Sequence, residues 1–561
     1  MCNDHNNGRS DFDLVLKNAR IVDVITGNII SGDIAISNGR IADLGGEYKS
    51  SCSFVDVGGS FVAPGFIDAH CHVESSMAAP PEYCRAVLRN GVTTVITDPH
   101  EIANIASSHG IDFMINASQD LPINYFFQLP SCVPATKFEH SGDAFGIDQM
   151  RPFLSHPRVL GLGEVMDISA VLDRDPVIME KIALFKGRMI DGHAPALSGD
   201  ALLKYCSAGI MTDHEVTSFE EAEEKIRAGL SILIREGSAC KNLDKIVSGV
   251  VSSGCDISSF AFCTDDKHLS DIVREGSILY NVKRSIALGM DPIKAMRIAT
   301  LNAAKIYGLP DIGAVSKGCL ADLIVFDDLE NIDIVSVYKS GVDVTSWSPS
   351  EQNFIAKSDP LYNSVHLPKI SCGSFELADT YERYPVINIT NGNILTSKSF
   401  VLKDAVSGLI ESGQLRKIAV IERHHALPYI GVGLVSGYGL SHGAVATTVA
   451  HDSHNLIVVG DNSEDMLKAA LTLSEMNGGY CIVQGGDVLG ALPLPIGGLM
   501  SDLPAEKFIS SLDRMLKIAE TVGINSGIDP FTTLSFMALP VIPEIRITDM
   551  GMFDVISSSF I

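Results

Sequence analysis

The sequence predicts a mixed α/β protein: a (β/α)8 TIM-like barrel inserted in a small β-sandwich domain, with a C-terminal α+β domain behind it. Three observations carry that prediction. Residues 61–312 alternate short apolar runs with helical stretches eight times, over a span that matches the roughly 250 residues of such a barrel. Residues 1–60 and 313–350, on either side of it, share a β-rich texture broken by Gly and Asn turns. Residues 386–561 then mix strands and amphipathic helices, after a polar, Pro/Ser/Asn-containing stretch at 351–385 that reads as a linker.

Taken in order, "DLVLKNARIVDVITGNIISGDIAISNGRIADLG" reads as a small antiparallel sheet, and "GCLADLIVFDD" and "DIVSVYKSGVDV" return to the same texture beyond the barrel. The sheet is therefore expected to be completed from the far side of the insertion. The eight barrel strands are "FVAPGFIDAH", "VTTVITD", "NYFFQLP", "VLGLGEV", "RMIDGHA", "IMTDHE", "SILIRE" and "ISSFAFCTDD". Helical stretches such as "PEYCRAVLRN", "SFEEAEEKIRAGL" and "KNLDKIVSGVV" separate them. In the last domain the strands are "KIAVIER", "NLIVVGD" and "YCIVQGG", and the helices "SEDMLKAALTLSEMN" and "AEKFISSLDRMLKIAETV".

Bulk properties exclude several classes of function. Hydrophobic residues are 46% of the 561 and charged residues 20%, which argues against wholesale disorder. A formal net charge of −26 disfavours nucleic acid or an anionic membrane as a partner. The polar N-terminus lacks the apolar core of a signal peptide, and no apolar run approaches the roughly 18 residues of a membrane span, so a soluble cytoplasmic protein is expected. Its 12 cysteines, without a CxxC pair, read as reduced core residues.

Active sites of such barrels are built at the C-terminal strand ends, and here those ends are crowded with ligand-type side chains. The first strand ends in His70 and His72, two residues apart and so on one face; the second in Asp98, His100 and Glu101; the fourth in Glu164. His193 follows the fifth, His214 and Glu215 the sixth, Arg235 and Glu236 the seventh, Asp265 and Asp266 the eighth. A lone buried His, as His100 or His193 taken alone, is more often a hydrogen-bonded core residue than a ligand. Glu164 inside "VLGLGEVM" is harder to explain blandly, because a buried carboxylate needs an ion or a partner. Four His and two carboxylates exceed what one catalytic ion needs, which points to two divalent ions with a shared carboxylate and an acidified water.

The run "APGFIDAHCHVESS", the four spaced ligands and the late Asp resemble the amidohydrolase superfamily. Within it, "TDPHEIANI", "PSCVPAT", "DGHAPALSG", "IREGSACKNL", "AHDSHN", "PLPIGGLMSD" and "LSFMALPVIPEIRITD" resemble the adenine deaminase family over nearly the whole chain. The resemblance implies His70 and His72 on one metal, Glu164 as the bridge, His193 and His214 on the second, and Asp265 as the strand-eight carboxylate. It implies Mn2+ or Fe2+, with Zn2+ also suited, and hydrolytic deamination of adenine to hypoxanthine and ammonia by metal-activated hydroxide at C6. Asp265 would carry the proton to the departing amine, while Glu215, Glu101 and Glu74 are all candidates to protonate N1. Asp98, His100, Arg235, His451 and Asp452 are expected to touch substrate or support the ligands.

A cyclic-amide hydrolase and a non-catalytic scaffold are the rival readings; ammonia release from adenine separates the first, and the retention of all six ligand-type residues opposes the second. Adenine is the expected partner, together with a second copy of the chain in a homo-oligomer, most simply a dimer. The clusters "AHDSHN" and "ERHH" sit at strand edges of the last domain, which is expected to pack over the barrel mouth and exclude water.

Overall fold

A computed structural model describes residues 12–349, 354–379, 381–390 and 394–561. The leading segment folds as an antiparallel meander of strands Leu14–Asp23, Asn28–Ser37 and Arg40–Leu44. Phe61–Pro64 runs parallel to the first of these and antiparallel to Leu323–Phe326, a strand from the other side of the central region. Both ends of the chain's first 343 residues thus build one eight-stranded sheet, completed by Ser53–Asp56, Ile334–Lys339 and Val342–Asp343. A bulge between Leu16 and Ala19 lets the first strand pair with Ser53–Asp56 before it and with Phe61–Pro64 after it.

The central region contributes eight parallel strands: β1 (Phe66–Cys71), β2 (Val92–Thr97), β3 (Asn124–Leu129), β4 (Val159–Val165), β5 (Met189–Gly192), β6 (Thr212–Asp213), β7 (Ser231–Arg235) and β8 (Phe260–Cys263). β1 to β5 form one sheet and β6 to β8 another. Backbone bonds tie the two at both seams: the Met211 N–H to the Ile190 carbonyl at 2.9 Å, and the Asp265 N–H to the His70 carbonyl at 3.0 Å. These strands read as near-continuous apolar runs because both faces are buried: one layer, with Ile67, Ala69, Ile96, Leu233 and Ala261, fills the interior while helices cover the outside. Helix Phe219–Arg227 shows why those helices start where they do, since the Ser218 hydroxyl accepts from the Glu221 N–H as an N-cap.

The last region is an eight-stranded sheet, largely antiparallel, whose period-two pattern sorts its two faces. Ala419, Ile421, Val458 and Cys481 pack against helix Ser463–Glu475, whereas Ile418, Val420, Val459 and Ile482 join the core shared with the central region. Polar contacts lock the regions together. Arg85 donates to both oxygens of Glu506 at 2.6 and 2.7 Å, and the Ser501 N–H reaches the Met77 carbonyl at 2.8 Å. The polar stretch before this region is packed rather than simply extended: short turns Pro360–Tyr362 and Cys372–Phe375 bury Leu361 and Phe375, and strand Arg383–Ile389 starts within it. No helix among the described residues is long and apolar enough to cross a membrane.

Candidate metal centre

The ligand-type side chains converge on one carboxylate at the strand ends. Glu164, at the end of β4, is 4% exposed. Its Oε1 lies 3.4 Å from His72 Nε2 and 3.6 Å from His100 Nδ1; its Oε2 lies 2.8 Å from His193 Nδ1 and 3.2 Å from His214 Nε2. Asp265 Oδ1 stands 3.1 Å from His72 Nε2 and 3.6 Å from His70 Nε2. Asp265 takes φ 56°, a left-handed conformation that Asp tolerates better than most residues, and this bends the chain sharply past β8. Gly163 is small for a local reason: a Cβ there would fall 2.1 Å from Asp98 Oδ2, which accepts the Glu164 N–H at 2.9 Å.

The donor set fits divalent cations. His72 Nδ1 donates to the Asp98 carbonyl at 2.8 Å, which fixes the tautomer and leaves the Nε2 lone pair facing the carboxylates. Both ring nitrogens of His70 and Nδ1 of His214 are buried without a hydrogen-bond partner. Donor atoms of His70, His72 and Asp265, and likewise of His70, Glu164 and His214, lie within 4.8 Å of one another, as do those of His72, His100 and Glu164 and of His193, His214 and Glu215. Imidazoles and carboxylates at this density suit Mn, Fe or Zn. Burial alone would raise the Glu164 carboxyl, but hydrogen bonds from His193 and His214 hold it well below the usual range. His100, assigned from sequence to the substrate or supporting groups, also reaches Glu164, at 3.6 Å against 2.8–3.4 Å for His72, His193 and His214.

The remaining carboxylates are sorted by their partners. Arg235 donates to both oxygens of Glu215, and to Asp265 Oδ2 at 2.8 Å. Burial would raise the Glu215 carboxyl, but the Arg235 charge keeps it low, so Glu215 is ionised. Glu74 and Glu101 lie behind the wall of the site. Burial, then the neighbouring Glu101 charge, push Glu74 up to about 8, and its Oε1 accepts the Ile102 N–H at 3.3 Å. The Ser75 hydroxyl contacts Glu101 and also Asp266 Oδ1, at 2.5 Å. Asp266 was noted from sequence only as a carboxylate at the end of the eighth strand, and Ser75 not at all; a serine beside an HxH run carries no signal until the fold places it between two carboxylates.

Above the carboxylates opens a cavity of about 920 Å³, walled by the strand ends and by the last region, which supplies His451, Asp452, Ile528, Phe536 and Leu539. The two C-terminal clusters have different fates. His451 and Asp452 line the cavity, but none of the "ERHH" residues does, which corrects the expectation that both clusters look onto the barrel. Glu422 accepts the N–H groups of His424, His425 and Leu427 at 2.5, 2.8 and 2.7 Å. Arg423, fully buried, donates to the carbonyls of Ser364 and Gly497, each at 3.0 Å, and to that of His454. "ERHH" is the scaffold on which the "AHDSHN" loop is mounted.

Glu101, His451 and His454 also gather ligand-type atoms. His454 Nδ1 accepts the Ala450 N–H at 3.1 Å, so its proton sits on Nε2, which points at Glu101 Oε2 3.6 Å away. That tautomer is built to donate to a carboxylate rather than to bind an ion. Asp452 makes no hydrogen bond through either oxygen; His451 Nδ1 and His100 Nε2 lie 3.8 and 3.9 Å from its Oδ1. Burial pushes its carboxyl up to about 7, opposed by the His451 charge.

Comparison with known proteins adds identity to geometry. Residues 61–346 match the family model for the amidohydrolase family, and residues 393–559 match that for the adenine deaminase C-terminal domain. The chain is 43% identical over 557 residues to an adenine deaminase of Desulfitobacterium hafniense (strain Y51), covering 99% of this chain and 97% of that one. It is 44% identical over 563 residues to an adenine deaminase of Listeria innocua serovar 6a, covering 98% and 95%. Among solved structures, an adenine deaminase covers 59% of this chain and 99% of its own, at 17% identity and a TM-score of 0.45.

Proposed function

The chain belongs to the adenine deaminase family of amidohydrolases and hydrolyses adenine to hypoxanthine and ammonia; we propose that two divalent ions held at the strand ends serve this reaction. The observation that carries the proposal is Glu164, one buried carboxylate with His72 and His100 at one oxygen and His193 and His214 at the other. In this reading the two parallel sheets are one closed (β/α)8 barrel inserted in the β-rich domain. His70, His72 and Asp265 would hold one ion and His193 and His214 the other, with Glu164 available to both. When bound, such ions lower the pKa of a water towards roughly 7 and so supply a nucleophile at neutral pH.

The chain's own groups then have distinct tasks. Asp265 takes the nucleophile's proton on Oδ1 and returns it to the departing amine, while the Arg235 bond to Oδ2 keeps the carboxylate aimed. Glu215, ionised against Arg235, is unsuited to protonate N1. Of the other two candidates, Glu74 and Glu101, neither lines the cavity; Glu101 is linked to it through the Ser75 hydroxyl and Asp266. His451 and Phe536 close the cavity from the C-terminal side, and their rings lie 5.2 Å apart. Excluding water there strengthens each electrostatic contact at the strand ends.

Ammonia release from adenine by Mn2+-reconstituted protein tests the reading. Turnover of adenine with no ring opening of a hydantoin or dihydroorotate is expected; the converse would favour the cyclic-amide alternative.

A further inference from the structure

The cavity contains one carboxyl group that the reaction leaves without a task. Around it, Glu164 is surrounded by imidazoles, Glu215 and Asp265 are bonded to Arg235, and Asp266 to Ser75. Asp529, also on the cavity wall, is taken up capping helix Pro530–Met537 through the N–H groups of Phe531 and Thr532. Asp452 lines the same cavity, is 3% exposed, and forms no hydrogen bond. Two imidazoles stand 3.8 and 3.9 Å from its Oδ1, too far to hydrogen-bond, and a buried carboxyl with no hydrogen bond is costly, so its retention asks for a ligand that completes it.

Its position limits what that ligand group can be. Asp452 stands one imidazole ring away from the metal-end carboxylate: Glu164 Oε1 faces His100 Nδ1, and His100 Nε2 faces Asp452 Oδ1. A purine whose C6 lies at the strand ends directs its five-membered ring towards the opposite, C-terminal wall. The free base carries its one ring N–H on that five-membered ring, and a carboxyl oxygen is the matching acceptor. A substituent on that nitrogen removes the donor and puts bulk where the carboxyl lies.

We propose that Asp452 accepts the imidazole-ring N–H of the free purine and thereby selects unsubstituted bases over 9-substituted purines. This rests on the deaminase reading above. Asp452 is here a specificity group, not part of the proton transfer at C6.

The test compares kcat/KM for adenine and 9-methyladenine, with metal content, in wild type, D452A and D452N holoenzymes. Wild type is expected to prefer adenine by at least about a hundredfold, and D452A to lose roughly 10- to 100-fold on adenine while 9-methyladenine, relieved of the carboxyl's bulk, holds or gains. D452N keeps a carbonyl acceptor and is expected to hold the preference within about tenfold, which decides the matter if D452A does not fold. Equal losses on both substrates, a fall in bound metal, or loss of the preference in a folded, metal-replete D452N would overturn the inference. Absence of adenine turnover by the wild type would instead overturn the reading it rests on.

Discussion

Glu164 and Asp452 are both buried carboxyl groups on the wall of one cavity, yet they are treated in opposite ways. Glu164, at a barrel strand end, has an imidazole nitrogen within 3.6 Å on four sides and is held ionised. Asp452, on the C-terminal loop, has no hydrogen bond and is driven towards its neutral form, up to about 7. The barrel end is thus organised around a fixed negative charge, as a cation site needs, and the facing wall around an unmet hydrogen-bonding group, as a substrate wall needs. Burial alone does not distinguish the two; the partners do.

Glu164→Gln attacks the comparison at its charged end and should have the largest effect. Both ions should be lost together, and adenine turnover should fall below about one part in 10⁴, beyond what loss of a general acid or base produces. Metal analysis finding one ion retained at full occupancy would show that Glu164 is not shared. Asp265→Asn should leave the fold intact and lower kcat by about 10²–10⁴-fold, the usual range for a missing proton shuttle. A variant within tenfold of wild type would reassign the role.

Arg235→Gln should have a smaller effect, about 10- to 100-fold in kcat, because it frees Asp265 Oδ2 and Glu215 without removing either. Rescue by Arg235→Lys is expected to be partial, since an ammonium cannot reproduce the forked contact with Glu215. The last effect concerns stability rather than turnover. The folded Asp452 carboxyl releases its proton near pH 7 rather than near 3.8, so folding takes up a proton between those values and stability falls as pH rises through that window. D452N removes this slope. Measured by urea unfolding, it should gain on the wild type by up to about 4 kcal/mol between pH 4 and pH 8; a constant difference would mean that Asp452 is not raised.

What could be read from the sequence follows the same division. His70, His72, Glu164, His193, His214 and Asp265 were visible as candidates because each stands at the end of an apolar run, and strand ends are where this architecture gathers chemistry. The partner of each carboxylate was not visible, because it is set by contacts across the fold: Glu215 to Arg235, Glu101 through Ser75 to Asp266. "ERHH" and "AHDSHN" have similar compositions, and only the carbonyls around Arg423 reveal that the first supports the second. In the polar stretch at 351–385, scattered buried apolar residues, among them Ile355, Leu361, Val365 and Phe375, anchor a segment that composition presents as a linker.

The central claim is that two ions share Glu164, and titration of metal-free protein with Mn2+ tests it most directly. Adenine deamination should rise with added metal and level off at two ions per chain, with Glu164→Gln failing to bind either ion at the same concentrations. Full activity with one ion per chain, or with none, would contradict it.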